Sequence, residues 1–265
     1  MKTTTLLAAW LALCAAAAPA APLSESTVTE IVRDVNVVVT ATKSAQPAAV
    51  NAVVRAPDLV RTAAESRAEL TAPDQTITRI GANTVFSFEG GGRTINLQQG
   101  SLLFHSPKGK GGGTIKSGGA SAAVLGTTLL VAATVQGAFK VIVIEGRGRV
   151  TPRKGRPVTL DAGEMVYVLP TGELSGVLKL HLSRLVAGSL LVNGFERPLP
   201  SMPAIQAAVT RQERDIARGR MAAADDPAER VASGRLIEQV DENTYKVNLQ
   251  RLLGGQGSVG QIVAP

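Results

Sequence analysis

Beyond its first twenty residues the chain contains neither cysteine nor tryptophan, because Cys14 and Trp10 are the only ones in 265 residues. A protein without thiols has no disulfide framework and no thiolate chemistry, so it must fold on apolar burial alone. Histidine is almost as scarce. His105 and His181 stand apart, no HExxH or Cys/His spacing is present, and a zinc site is not indicated. His105 closes an apolar run, where an edge or capping role is expected. His181 alternates with Leu180 and Leu182 and reads as a surface position. Aromatic residues make up 3% of the chain, too few for a sugar-stacking cleft or for the base-stacking platforms of single-strand binders. No GxSxG elbow supports a serine nucleophile. After residue 20, no apolar run is long enough to span a bilayer.

The first twenty residues have a character of their own. One lysine, Lys2, precedes an apolar run from Leu6 to Ala18, and Ala18-Pro19-Ala20 supplies a small-residue cleavage site. This is the layout of a secretory signal peptide, with cleavage expected after Ala20. Leu13 before Cys14 does not suit lipoprotein processing. The formal charge is +7, and +6 once Lys2 leaves with the leader. The exported product is therefore basic, which favours an anionic partner and says nothing about fold. A periplasmic or cell-surface location in a Gram-negative envelope is expected.

The rest of the chain is dense in short β signals. Residues 28–39 are valine-rich and partly alternating, and 41–57 are alanine-rich and looser. From Asp58 the runs TITRI, TVFSF, TINL, GSLLF, TIKS, ASAAVL, TTLLVAA, FKVIVI, GRVT, PVTL and EMVYVL succeed one another, mostly separated by Gly, Pro, Asn or Asp. Short strands closely spaced by turn signals point to an all-β sandwich, barrel or β-solenoid. No strict repeat period imposes the solenoid. Residues 171–200 are expected to extend the sheet. Pro203 in a first helical turn and Gly219 as a stop bound an amphipathic helix over 201–220, with Ile205, Ala208, Val209, Gln212 and Ile216 on one face. It would dock on the β domain or meet a partner. Residues 221–265 read as a flexible tail with one last strand in it.

Two stretches invite a chemical reading. FHSPKGKGGGTIKS, at 104–117, looks like a phosphate cradle, but Lys110 precedes its glycines and no helix is signalled after them. A P-loop needs the reverse order and a helix N-terminus to receive phosphate. The stretch therefore reads as a loop between strands, with Lys108 and Lys110 in solvent. Glu145, Asp161 and Glu164 could form a carboxylate pair, yet acids at strand ends are ordinary. The basic series Arg147, Arg149, Arg153, Lys154 and Arg156 has no acid between Glu145 and Asp161. On a hairpin it would gather a positive field suited to anionic polymers, or serve as a solvated tip.

Several of these runs carry a resemblance. Val60-Arg61-Thr62, then Ser66-Arg67-Ala68-Glu69-Leu70, ITRIGANTVFSF, INLQQGSLLFH, LGTTLLVAA, VIVIEGRGRV and LDAGEMVYV occur in that order between 60 and 170. The series resembles the FecR domain family, most closely at the Gly126-Thr127 pair. Within it Gly100, Gly126, Gly146 and Gly163 fall at strand ends or corners, where positive φ or close backbone approach is expected. Thr127 is expected to pin its corner through its hydroxyl. The resemblance implies a FecR-like domain over 58–170, all-β and extracytoplasmic, a bent right-handed β-helix-like or sandwich-like stack. In founding members this domain follows a cytoplasmic anti-sigma segment and one membrane helix, and it hears an outer-membrane TonB-dependent transporter. Here a signal peptide stands in their place, so direct control of a sigma factor is not implied.

The sequence thus predicts an exported, non-enzymatic FecR-domain protein, with no cofactor, metal or nucleic acid. Its expected partner is an envelope protein, such as a TonB-dependent receptor or another signalling component. The rival expectation is a surface scaffold that binds anionic polysaccharide.

Overall fold

The computed structural model describes residues 22–223 and, beyond them, only the strands at 237–239, 244–247 and 260–263. The predicted leader and most of the predicted tail lie outside the described residues. The strands begin with β1 (Glu25–Val32), β2 (Val35–Val39), β3 (Ser44–Pro47), β4 (Val53–Arg55), β5 (Leu59–Thr62) and β6 (Arg67–Thr71). They continue with β7 (Ile77–Ile80), β8 (Val85–Phe88), the twelve-residue β9 (Thr94–His105), β10 (Gly113–Ser117) and β11 (Ala120–Val124). Then come β12 (Thr128–Ala133), β13 (Phe139–Glu145), β14 (Arg147–Thr151), β15 (Val158–Asp161), β16 (Glu164–Val168) and β17 (Leu178–Lys179). Three helices come next: α1 (Leu182–Gly188), α2 (Leu190–Asn193) and α3 (Met202–Ala217). Last, β18 (Ile237–Gln239), β19 (Thr244–Val247) and β20 (Gly260–Val263) pair as a separate antiparallel sheet.

Pairing resolves the main strands into two layers joined by β9. One layer runs β4-β1-β6-β7-β9-β12-β13-β16-β17, using the second half of β9. The other runs β3-β2-β5-β8-β9-β10-β11-β14-β15, using its first half. Gly100 is the crossing point. Its φ is +93°, and a Cβ there would sit 2.4 Å from Thr84 Cα, so only glycine fits. Every pairing in the two layers is antiparallel except β9 with β10. The expected stack is therefore present, and its register is that of a sandwich folded from hairpins, not of a right-handed parallel coil.

Alternation along each strand fills two cores. Leu102, Phe104, Leu129, Val131, Val141 and Val143 point inward, against Phe86, Ile95, Leu97, Ile115, Val150 and Leu160 of the facing layer. Phe86 and Phe88 meet edge to face at 5.2 Å between centroids. Leu23, Val28, Val35 and Val54 join the same core. The residues between, Leu103, Leu130, Ile142, Ile144 and Met165, point the other way into a second core roofed by Leu182, Leu185, Val186, Leu191, Ile205 and Val209 of the helices. One sheet is thus backed by helices, and the other leaves its outer face open.

The helical roof corrects one expectation and decides between two alternatives for another. Residues 171–200 do not extend the sheet beyond the two-residue β17; they form α1 and α2. Leu182, Leu185 and Val186 have helical i, i+3, i+4 spacing, and this outweighs the short alternation before them. The 201–220 helix is α3, and its apolar stripe of Ile205, Ala208, Val209 and Gln212 is buried in the roof, so that stripe is not a surface for a partner. Gln212 also works as a backbone surrogate. Its amide accepts from Leu182 N and donates to Leu180 O, both at 2.7 Å, fixing the start of α1 to α3.

Candidate functional site

The corner residues are tied by a recurring device. Thr62 Oγ1 donates to Gly81 O at 2.6 Å and accepts from Thr84 N at 2.9 Å. Thr84 Oγ1 donates to Ser101 O at 3.2 Å and accepts from Ser101 N at 3.0 Å. Thr127 Oγ1 donates to Arg147 O at 2.8 Å and accepts from Arg147 N at 3.3 Å. In each case one hydroxyl replaces a missing ladder rung where the chain turns between layers. Gly126, Gly146 and Gly163 have φ of +66°, +81° and +85°. At Gly146 a Cβ would stand 2.8 Å from the Thr127 hydroxyl, so the tie requires the glycine. These positions build the frame and carry no reactive group.

The basic series divides into paired and unpaired side chains. Arg147 donates through Nε to Asp161 Oδ1 at 2.8 Å on the exposed face of the β14–β15 pair. Arg153 reaches back and donates through Nη2 to Pro170 O and Thr171 O. Arg149 stands outward on β14, while Lys154 and Arg156 lie in the β14–β15 turn; none of the three has a side-chain partner among the described residues. The contact surface drawn from sequence thus reduces to three free cations on the open sheet and its edge hairpin. Lys116 on β10 is not free; it pairs with Glu89 at 3.0 Å and holds that carboxyl below its ordinary range.

The remaining candidates disperse. The 104–117 stretch spans the end of β9, a loop with positive φ at Gly109, Gly111 and Gly112, and β10; a strand comes after the glycines where a phosphate cradle needs a helix. Glu164 Oε2 accepts from Asp161 N at 2.9 Å within their own turn, while Glu145 is buried at the end of β13. His181 is the residue before α1. His105 departs from its expected edge position. It is buried under the helices and hydrogen-bonds Thr128 Oγ1 at 3.0 Å, and Thr128 donates on to Ser201 Oγ at 2.9 Å. Burial, with the nearby Arg79 cation, lowers its pKa to about 4.

Sequence reasoning missed the buried ion pair. Arg79 on β7 is fully buried, and its Nε donates to Glu69 Oε2 at 2.8 Å. Thr29 donates to the other carboxylate oxygen at 2.7 Å. The remaining guanidinium nitrogens donate to the carbonyls of Leu191, Val192 and Arg197 at the end of α2 and just beyond, and the group lies 4.4 Å over the Phe195 ring. This arginine closes the roof onto the sheet and satisfies helix-end carbonyls. The available signal was a cation inside ITRI on the same strand face as Ile77.

Among the described residues there is no cluster of three metal-ligating side chains, and no helix is long and apolar enough to cross a membrane. The structure is a two-layer β frame with threonine-pinned corners and one unroofed sheet. Residues 58–147 match the family model "FecR protein". That family is one of signalling and regulation. The match ends at Arg147, although the layers continue through β17. No curated protein matches the chain. A crystal structure of a candidate anti-sigma factor from Parabacteroides distasonis is similar, with a TM-score of 0.43 and 21% identity over 49% of this chain. The matched part covers 63% of that protein's length. A second crystal structure of such a factor from the same organism gives 0.42 and 20% over 48% of this chain.

Proposed function

We propose that the protein is an exported, non-enzymatic recognition module of the bacterial envelope that takes part in signalling through protein–protein contact. One observation carries this reading. The backed sheet is sealed by helices, whereas the open sheet ends in an edge strand, β15, beside Arg149, Lys154 and Arg156. An edge strand offers unpaired backbone groups to an added strand, and the cations steer an acidic partner toward it. The 58–147 FecR domain supports the signalling class, and a TonB-dependent receptor is one partner of that kind. The three free cations favour a second reading, in which the same surface holds an anionic polysaccharide.

Salt separates the two. The purified protein would be used to capture partners from envelope extract at low and at high ionic strength. A protein retained at high salt, and captured less well at low salt after charge reversal at Arg149 and Arg156, supports strand-edge recognition. Polymer binding that vanishes with salt supports the scaffold. Recovery of nothing at either salt sinks both.

A further inference from the structure

A cleft of about 590 Å³ lies between α3 and the corner joining β13 to β14, a volume in the range of small-molecule sites. It borders the open sheet, whose Arg147 and Asp161 also line it, whereas Arg149 does not. On the helix side Ala204, Ala207, Ala208 and Arg211 succeed one another at i, i+3, i+4 and i+7, so one stripe of α3 faces the cleft. Three alanines leave the space, and Arg211 lines it one turn further along the helix. The other wall is Glu145, Gly146, the Arg147–Asp161 pair and Lys108, the lysine coming from the glycine-rich loop after β9. The Lys108 chain packs on Gly126, where an added Cβ would stand 2.8 Å from its Cγ, so the loop is held against the Gly126-Thr127 corner.

Charge accounting shows what the cleft lacks. Arg147 is paired with Asp161, and Asp215 with Arg220. Lys108 and Arg211 have no hydrogen-bond or ion-pair partner among the described residues, and both are exposed. Glu145 is 8% exposed, is hydrogen-bonded by Thr128, and feels the Lys108 charge. Burial raises its carboxyl pKa, against the smaller pulls of Lys108 and Thr128, so it is readier than a surface carboxylate to carry a proton and donate it in a hydrogen bond. Two unpaired cations and a protonatable acid on one cleft suit an oxyanion.

We propose that this cleft binds a small carboxylate- or phosphate-bearing ligand, its oxyanion held by Lys108 and Arg211 with the Glu145 carboxyl beside it. Calorimetric titration of the purified protein at constant ionic strength tests this, with citrate, inorganic phosphate and neutral inositol as probes. Saturable binding of citrate or phosphate in the millimolar range or tighter, and none of inositol, is expected; the anion that binds identifies the headgroup. Lys108→Ala and Arg211→Ala should each weaken binding about tenfold, as loss of a charged hydrogen bond does. Arg149→Ala should leave it unchanged, and Glu145→Gln should not weaken it. Both cations are exposed, so the alanine variants should unfold at the wild-type temperature. Absence of saturation by either anion overturns the proposal, as does equal weakening by Arg149→Ala. Loss of binding in Glu145→Gln overturns the place given to Glu145.

Discussion

β13 and β14 are separated in sequence by Gly146 alone, yet they live in different environments. β13, FKVIVIE, is buried at every position, because it lies in the backed sheet with the inner core on one side and the helical roof on the other. β14, RGRVT, alternates exposed and buried, because the outer face of its sheet meets water. One corner residue with φ of +81° takes the chain from one regime to the other. The contrast teaches that this fold divides labour by layer. The backed sheet carries two cores and a buried ion pair, and the open sheet leaves its outer face to solvent. Substitutions of similar size should therefore have very different costs in the two layers.

The steepest test is at Arg79. Removing it leaves Glu69 buried without its partner and the carbonyls after α2 without donors. Arg79→Met should cost about 3–5 kcal/mol, the usual range for breaking a buried pair. Urea unfolding would measure it, and loss of amide-exchange protection in α1 and α2 before the strands would locate it. Restoring part of the stability with Glu69→Gln in the same chain would assign the cost to the stranded carboxylate. A loss below about 1 kcal/mol would show that the roof does not depend on this contact.

Next is the pH response of the roof. The His105 pKa falls from its ordinary 6.5 to about 4 in the folded protein. Between those values the unfolded chain binds the proton that the folded one refuses, so stability falls as pH drops from about 6.5 and levels off below about 4. At 1.36 kcal/mol per unit this amounts to roughly 3 kcal/mol. Glu145 acts in the opposite sense, since its raised pKa makes acidification favour the folded state. His105→Asn should flatten the acid slope of ΔG measured by urea titration across pH 4 to 7, and an unchanged slope would remove His105 as its source.

The corner tie should rank third. Thr127→Val keeps shape and removes the hydroxyl that serves both Arg147 N and Arg147 O. A loss of about 1–2 kcal/mol is expected, with Thr127→Ser retaining most of the stability, both read from thermal unfolding.

Much of this layering was legible in the residues. The run VIVI states that both faces are covered, and RGRV states that one is not, so the all-β class and the difference between strands could be read directly. The corner glycines and Thr127 were legible because a turn restricts backbone in ways few residues tolerate. The helices at 182–193 were not, because LKLHL alternates like a strand and only the i, i+3, i+4 set beginning at Leu182 betrays them. Arg79 and His105 were illegible for a related reason. A polar residue in a short strand or at a strand end reads as solvent-facing, and only the roof, distant in sequence, shows that this face is buried. Of the basic series, Arg153 and Arg147 were spoken for by Thr171 and Asp161, partners no spacing rule supplies.

The smallest expected stability effect gives the sharpest statement of the comparison. Arg149 stands on the open sheet, outward, without a partner, and β14 keeps its pairing to β11 and β15 whatever side chain is there. Arg149→Ala should therefore change unfolding free energy by less than about 0.5 kcal/mol. If the open sheet is the recognition surface, the same change should slow association with a captured acidic partner at low salt, and the effect should fade as salt screens the charge. Binding kinetics at two ionic strengths, set beside the unfolding curve, would measure both quantities on one variant. A protein that loses stability here but keeps its association rate would reverse the assignment of roles to the two layers.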